Sequence, residues 1–419
     1  MKRIAIFLLM LLSVCAAAQD YSGRHAGLDR TLDWSVAPDM KAPRGYKAAF
    51  IEHYGRHGSR YAYSSEFYVT FRKALDKGEE LGVLTELGKS IKADFDSNYD
   101  NYILRTGDLS TIGFSQLEAI GEGLAKACPS ALCKGARVYA GASASTRSIM
   151  SMSAFCVGLS KVAPGLDILE EQGKITLDAT NPRDRNNPYR LQREEPAFPF
   201  TESLDDFQER KLPCRTVLQR LFTDVDAVFK ESSVSPELTV RNMYVLAVGM
   251  NSIPVGERTD FSGMFTQEEL ELMWEVDNYQ RFGEYFSYVP RIAPVALDMI
   301  RDADARLANG ERGLTARFGH DHVMMPLLCM FGFNEYRDQP TSPDDVARVF
   351  QTWDSPMATN LLLVFYTPKK AGKPVLVRVL QNWQEVSFGP ELGDGPFYEW
   401  TLLKTSLRDR VGRYPVVGE

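Results

Sequence analysis

Two short segments of this chain concentrate residues that can do chemistry. The first is Arg56-His57-Gly58-Ser59-Arg60, directly after a run that reads as a β-strand. Arg56 and Arg60 offer planar forks that match the oxygens of a phosphoryl group two at a time. His57, between them, carries a ring nitrogen able to act as a nucleophile, and Gly58 is expected to leave room for the backbone to approach an anion. The second segment is His320-Asp321-His322, which follows Arg317-Phe318-Gly319. Of the chain's five histidines, His53, His57, His320 and His322 fall in or beside these two segments. A third arginine, Arg147, lies at the start of a predicted helix opened by Ser145, where free backbone N–H groups favour an anion. Three arginines can hold one phosphoryl group, and phosphoryl transfer is catalysed mainly by positioning and by stabilising charge on the equatorial oxygens. A competing metal reading would use His53 with His57 and His320 with His322, aided by Asp321 or Glu52. Three arginines beside a cation oppose it electrostatically.

The elements that must hold these residues can be read from the apolar pattern. Tyr46 to His53 is a nearly continuous apolar run, as expected of a strand buried on both faces. Helical spacing covers about Glu66 to Leu87, Gly113 to Lys126, and Thr146 to Leu159 with Ser145 as N-cap, and Ala136 to Gly141 reads as a short strand. Strand and helix alternate, which points to α/β. From about Asp167 the texture changes. Pro182, Pro188, Pro196 and Pro199 punctuate an irregular stretch, and Arg215 to Glu231 and Thr266 to Glu275 read as helices with no strand between them. The α/β pattern resumes near Ile292, with a helix to about Leu307, a strand at Leu314 to Gly319, an apolar helix from about Val323, and strands at Asn360 to Tyr366 and Val375 to Leu380. Both charged segments thus lie just past the carboxyl end of a predicted strand, where open α/β sheets place their ligands.

Composition limits what such a site can serve. The chain of 419 residues has a formal net charge of −7. Residues 1–18 read as a signal peptide: Lys2 and Arg3, a short apolar run, then Ala16, Ala17 and Ala18. The run falls short of the roughly 20 residues a membrane-spanning helix needs. Lipid attachment at Cys15 is the alternative use of this leader. Without Lys2 and Arg3 the charge falls from −7 to −9, so there is no global attraction for nucleic acid or an anionic membrane, and any anion site must be local. The cysteines past Cys15 are odd in number, so at least one thiol stays free; Cys128 and Cys133 are spaced so that they could pair.

Four blocks carry a family resemblance: RHGSR, Gly107 to Leu124, the segment from Ser145 with Arg147, and Arg317 to Leu327. They resemble the corresponding blocks of the histidine acid phosphatases. The last block, with Val375 to Asn382, is most similar to the branch containing phytases and multiple inositol polyphosphate phosphatases. The resemblance implies a fold and a mechanism. The fold is α/β, a mainly parallel Rossmann-like sheet flanked by helices, built from 19–166 and 291–419, with 167–290 inserted as a mostly α-helical cap. His57 is then the nucleophile that forms a phosphohistidine; Arg56, Arg60, Arg147 and His320 hold the phosphoryl oxygens; and Asp321 protonates the leaving group. That branch commonly carries His-Ala-Glu where this chain has His320, Asp321 and His322, so either Asp321 is the donor or His322 shares the proton. The family's proline and threonine after RHGxR are Ala62 and Tyr63 here. In the cap, Arg183, Arg185, Arg190 and Arg193 are a landing surface for further phosphates, or pair with Asp184, Glu194 and Glu195 on an exposed loop.

The expected protein is a periplasmic or secreted phosphomonoester hydrolase with no metal and no organic cofactor. Its partner is a small phosphorylated molecule, with phytate-like inositol polyphosphates preferred. The alternatives are a broad acid phosphatase on sugar or nucleotide monophosphates, or a non-catalytic phosphosugar-binding protein. Oligomeric state is not legible.

Overall fold

Strand β1 (Tyr46–Arg56) organises the molecule. Its last nine residues are buried, because Ala48, Ala49, Phe50 and Ile51 supply apolar side chains to both faces of a central strand. The computed structural model describes residues 21–414 apart from 189, 191, 193–196, 198, 213, 231 and 233, and the side chains of 335 and 337. The expected signal peptide, Cys15 and Arg193 lie outside the described residues.

After β1 come helices α1 (Ser65–Glu80), α2 (Glu86–Leu104) and α3 (Thr111–Ala127), strand β2 (Arg137–Ala142), helix α4 (Thr146–Val162) and strand β3 (Asp167–Gln172). A largely helical stretch follows: α5 (Leu177–Thr180), α6 (Leu204–Lys211), α7 (Cys214–Leu218), α8 (Val225–Phe229), α9 (Pro236–Gly249) and α10 (Gln267–Phe286). The chain then returns through α11 (Ala293–Ala308), β4 (Gly313–Gly319), α12 (Asp321–Phe331), α13 (Val346–Val349), β5 (Asn360–Pro368), β6 (Leu376–Gln381), β7 (Gln384–Glu385), β8 (Tyr398–Glu399) and α14 (Trp400–Gly412).

The eight strands form one mixed sheet in the order β3-β2-β4-β1-β5-β6-β7, with β8 on β6. Its core, β3-β2-β4-β1, is parallel, while β5 runs antiparallel to β1 and β6 antiparallel to β5. Leu117, Ile120 and Phe155 of α3 and α4 cover one face. Val295, Met299, Leu328 and Leu403 of α11, α12 and α14 cover the other. A third apolar cluster joins Phe71 and Phe95 of α1 and α2 to Val217, Met243 and Met273 of the helical stretch.

Several sequence expectations are corrected. The helical run from Glu66 breaks at Leu81 and Gly82, where Gly82 takes φ +68, and a second helix restarts behind the Thr85 cap. Asp167–Gln172, where no strand was expected, pairs along β2 as an edge strand of the sheet. The helix expected from Arg215 is instead two short ones, Cys214–Leu218 and Val225–Phe229, and α10 continues past Glu275 to Phe286 from a capping box at Thr266. The apolar helix expected from Val323 starts two residues earlier, at Asp321, with His320 as its N-cap residue. Cys128 and Cys133 are both free thiols.

Candidate active site

Parallel pairing brings the two charged segments together. Arg56 at the end of β1 stands opposite Gly319 at the end of β4, so the next residues, His57 and His320, emerge side by side. The His57 backbone N–H donates to the Gly319 carbonyl at 3.1 Å, and the two imidazole rings lie 5.5 Å apart. His57 Nδ1 is 2.9 Å from the Gly58 carbonyl. A carbonyl only accepts, so the proton sits on Nδ1 and the lone pair on Nε2. Burial lowers the His57 pKa well below the ordinary histidine value, and the Arg147, Arg56 and Arg60 guanidiniums push the same way. The imidazole is held neutral, which is the form that attacks.

Gly58 answers a packing demand that the sequence did not reveal. A Cβ there would meet the Gly113 carbonyl at 2.5 Å and Leu117 Cδ2 at 2.8 Å, so the glycine lets the N-terminus of α3 press against the segment. Its N–H donates to Ser151 Oγ at 3.1 Å.

Arg56 is fully buried. Its Nη1 donates to the Leu28 and Ser355 carbonyls at 2.5 and 2.7 Å, which fixes the guanidinium plane. Among the described residues, Nε and Nη2 have no hydrogen-bond partner, and neither do Arg60 Nε and Arg147 Nε. Arg60 Nη1 donates to the Tyr61 carbonyl at 3.1 Å; Asp29 approaches Nη2 at 3.8 Å, and the Tyr63 ring lies 5.1 Å from the guanidinium. Arg147 stands on the first turn of α4, whose Ser145 cap accepts from the Ser148 N–H. Its Nη2 lies 3.5 Å from His320 Nδ1, and burial followed by repulsion from Arg60 lowers its pKa to about 10. With Nδ1 facing a guanidinium donor, His320 presents its Nε2 proton to Ser143 Oγ at 3.0 Å. Three cations around a neutral imidazole form a pocket whose charge and donors suit an anion.

Asp321 opens α12 beside this cluster, its Oδ1 3.8 Å from Arg56 Nε. Tyr285, near the end of α10, donates its hydroxyl proton to Asp321 Oδ2. Burial alone would raise the Asp321 pKa, but Arg56, His322, the Tyr285 hydrogen bond and Arg281 together hold it well below the usual carboxylate range. His322 stacks on His320 at 4.8 Å, and burial lowers its pKa to about 4 against the opposing pull of Asp321.

The structure therefore brings together Arg56, His57, Arg60, Arg147, His320, Asp321 and His322. Arg183 lies at the margin, over the Tyr288 ring at 3.3 Å and close enough to depress His322. Arg185 and Arg190 are exposed on the following loop. Two of the residues a metal reading would have borrowed, His53 and Glu52, are committed elsewhere. His53 is sealed in the core against Phe155 and Phe318, at 5.0 and 5.1 Å, and Glu52 is buried against Arg317, which also holds Asp298. Sequence reasoning missed Tyr285, Ser143 and the Leu28 and Ser355 carbonyls. Ser143 alone had a local signal, since it directly follows β2, in line with the other two segments.

A pair of strand ends that presents a histidine between arginines and a His-Asp pair defines a phosphoryl-handling α/β protein. The chain matches the histidine phosphatase superfamily (branch 2) over residues 55–382, and it belongs to that family. It is a phosphatase by that membership. Among solved structures it is similar to the apo form of a multiple inositol polyphosphate phosphatase of Bifidobacterium longum. There the identity is 20%, the match covers 95% of this chain and 99% of that one, and the TM-score is 0.73. The complex of that enzyme with inositol hexasulfate matches over the same shares at 18% identity and TM-score 0.71. The phytase from D. castellii matches at 14% identity over 93% of this chain and 85% of that chain, with TM-score 0.64. At these identities the likeness is one of fold. No curated protein matches the chain by sequence. Among the described residues no helix is long and apolar enough to cross a membrane.

Proposed function

We propose that this protein hydrolyses phosphomonoesters through a phosphohistidine at His57 and prefers inositol polyphosphates such as phytate. The observation that carries the reading is the neutral His57 imidazole, its Nδ1 tied to the Gly58 carbonyl, facing unpartnered donors of Arg56, Arg60 and Arg147. A phosphate ester dianion supplies what those donors lack. Nε2 attacks phosphorus, the bond to the leaving oxygen breaks, and Asp321 gives that oxygen a proton. In the free protein Asp321 is held ionised mainly by Arg56. A bound dianion neutralises that field, so the carboxyl takes up a proton when the substrate that needs it arrives. Once ionised again, Asp321 draws a proton from water that attacks the phosphohistidine.

The polyphosphate preference rests on Arg183 beside His322, with Arg185 and Arg190 exposed on the same loop. The expected inserted cap, taken after β3, supplies that loop and Tyr285. Export to the periplasm or the medium rests on the leader alone. Comparing kcat/KM for phytate, glucose phosphate, a nucleotide monophosphate and p-nitrophenyl phosphate tests the preference. Neutralising Arg183 and Arg190 together should lower the phytate value, most at low salt, and leave p-nitrophenyl phosphate nearly unchanged. Equal rates on all four substrates, with phytate kinetics unaltered in the double variant, would favour a broad acid phosphatase.

A further inference from the structure

The catalytic carboxylate does not stand alone. Helix α10 runs from the helical stretch to the cleft and delivers Tyr285 against one oxygen of Asp321, while the other oxygen faces Arg56. Tyr285 is almost completely buried, with its ring in the apolar cluster beneath α12. The contact is a phenol O–H donating to a carboxylate, the type of hydrogen bond that gains most from negative charge on the acceptor.

We infer that Tyr285 is a positioning residue that fixes which oxygen of Asp321 carries the transferable proton and stabilises the carboxylate left behind. This rests on Asp321 being the proton donor. With Oδ2 occupied by the Tyr285 hydroxyl, the proton resides on Oδ1, the oxygen turned toward Arg56 and hence toward the phosphoryl pocket. When the leaving oxygen takes that proton, the charge remaining on Asp321 strengthens the Tyr285 hydrogen bond. The contact therefore makes Asp321 a stronger acid in the first step. In the second step it holds the carboxylate in the orientation from which Oδ1 meets the incoming water.

Other groups act on the same carboxylate. Arg56 comes from β1, Arg147 from α4, Arg281 from α10, and His320 and His322 from the start of α12. Tyr54 of β1 and Asp277 of α10 also face it. None of these donates a hydrogen bond to Oδ2, and among the described residues Tyr285 alone does so. It also needs no charge of its own, so removing its hydroxyl perturbs the acid without altering the cation count of the pocket.

Tyr285→Phe keeps the ring and deletes the donor. In a pH profile of kcat/KM on an alkyl phosphate, the limb where activity falls as pH rises reports loss of the acid's proton. That limb should move up by about one pH unit, a tenfold change in the ionisation constant. The same ratio for p-nitrophenyl phosphate, whose phenolate leaves unaided, should fall less than threefold at the optimum, because kcat/KM ends before the water step. Thermal melting reports whether the variant folds. Should it fail to fold, 3,5-difluorotyrosine at position 285 is a stronger donor and should move the same limb down instead. An unmoved limb in the folded variant, or equal losses on both substrates, would overturn the inference. Asp321→Asn in the same assays separates the two claims. If it shows no leaving-group dependence, the donor assignment itself fails; if it does and Tyr285→Phe leaves the limb in place, only the role of Tyr285 fails.

Discussion

Arg56→Lys separates the geometry of the guanidinium from its charge. In the structure Nη1 is spent on the Leu28 and Ser355 carbonyls, and Nε and Nη2 remain for an anion. A lysine keeps the positive charge and can satisfy the two carbonyls, but it has no planar fork left to offer phosphate. A hydrogen bond to a charged group contributes about 1.5–3 kcal/mol, so losing two from the transition state costs about 3–6 kcal/mol. That corresponds to roughly two to four orders of magnitude in kcat/KM. Stability should change little. Arg56→Ala behaves differently, since it strands two buried carbonyls at about 1–3 kcal/mol each and should unfold measurably earlier. The assay is kcat/KM on p-nitrophenyl phosphate, beside urea melts of the three proteins. Folded Arg56→Lys within threefold of the parent would refute the argument from the fork. Equal destabilisation by lysine and alanine would refute the argument that a lysine can satisfy the Leu28 and Ser355 carbonyls.

Asp321→Asn should lower kcat/KM for alkyl phosphates by about 10²–10⁴, the range for loss of a general acid, and kcat/KM for p-nitrophenyl phosphate far less, since this ratio ends at release of the leaving group, before water attacks. His322→Ala should cost less on both, and the opposite order would reassign the donor. His53, buried neutral with its pKa lowered from 6.5 to about 3 by burial and then by Arg317, couples folding to pH. Its folded value is depressed, so the stability it contributes is full above 6.5 and is lost as pH falls toward about 3, at about 1.4 kcal/mol per pH unit. Urea melts at pH 6.5 and 4.5 should show a smaller difference in His53→Leu than in the parent, and equal differences would remove His53 from the balance. Gly58→Ala should destabilise by about 1–3 kcal/mol and lower kcat, because the new Cβ displaces either α3 or the segment that carries His57; a neutral result in both assays would show that the contact yields freely.

The catalytic segments were legible because two signals coincide in them. Apolar runs mark β1 and β4, and each ends abruptly in charge, so the residues that need a strand end to be useful announce where it is. Ser145 likewise marked the start of α4 and the place of Arg147. Strand β3 was not legible: as an exposed edge of sequence Asp-Ile-Leu-Glu-Glu-Gln it buries almost nothing, so apolar patterning had no hold on it. The antiparallel sense of β5 and β6 was hidden for the opposite reason, since a strand buried on both faces reads the same in either direction. Tyr285 stands 36 residues before Asp321 and has the composition of a core aromatic, so nothing local distinguishes its hydroxyl. Backbone acceptors such as Leu28 and Ser355 carry no residue-type signal at all. The contact of Gly58 with α3 was not legible, because a glycine required by a neighbouring helix and one required by a ligand look identical until the neighbour is placed.

The covalent intermediate gives the most direct test of the whole account. A phosphoester labelled in its phosphoryl group, mixed with the protein and quenched within milliseconds in alkaline detergent to preserve a phosphorus–nitrogen bond, should leave label on the chain. Peptide mapping should place it at His57, at the Nε2 position that the Gly58 carbonyl leaves free. His57→Ala should take up no label and turn over no substrate while melting near the parent temperature. Label elsewhere in the parent, or appreciable turnover by folded His57→Ala, would contradict the assignment of His57 as the nucleophile.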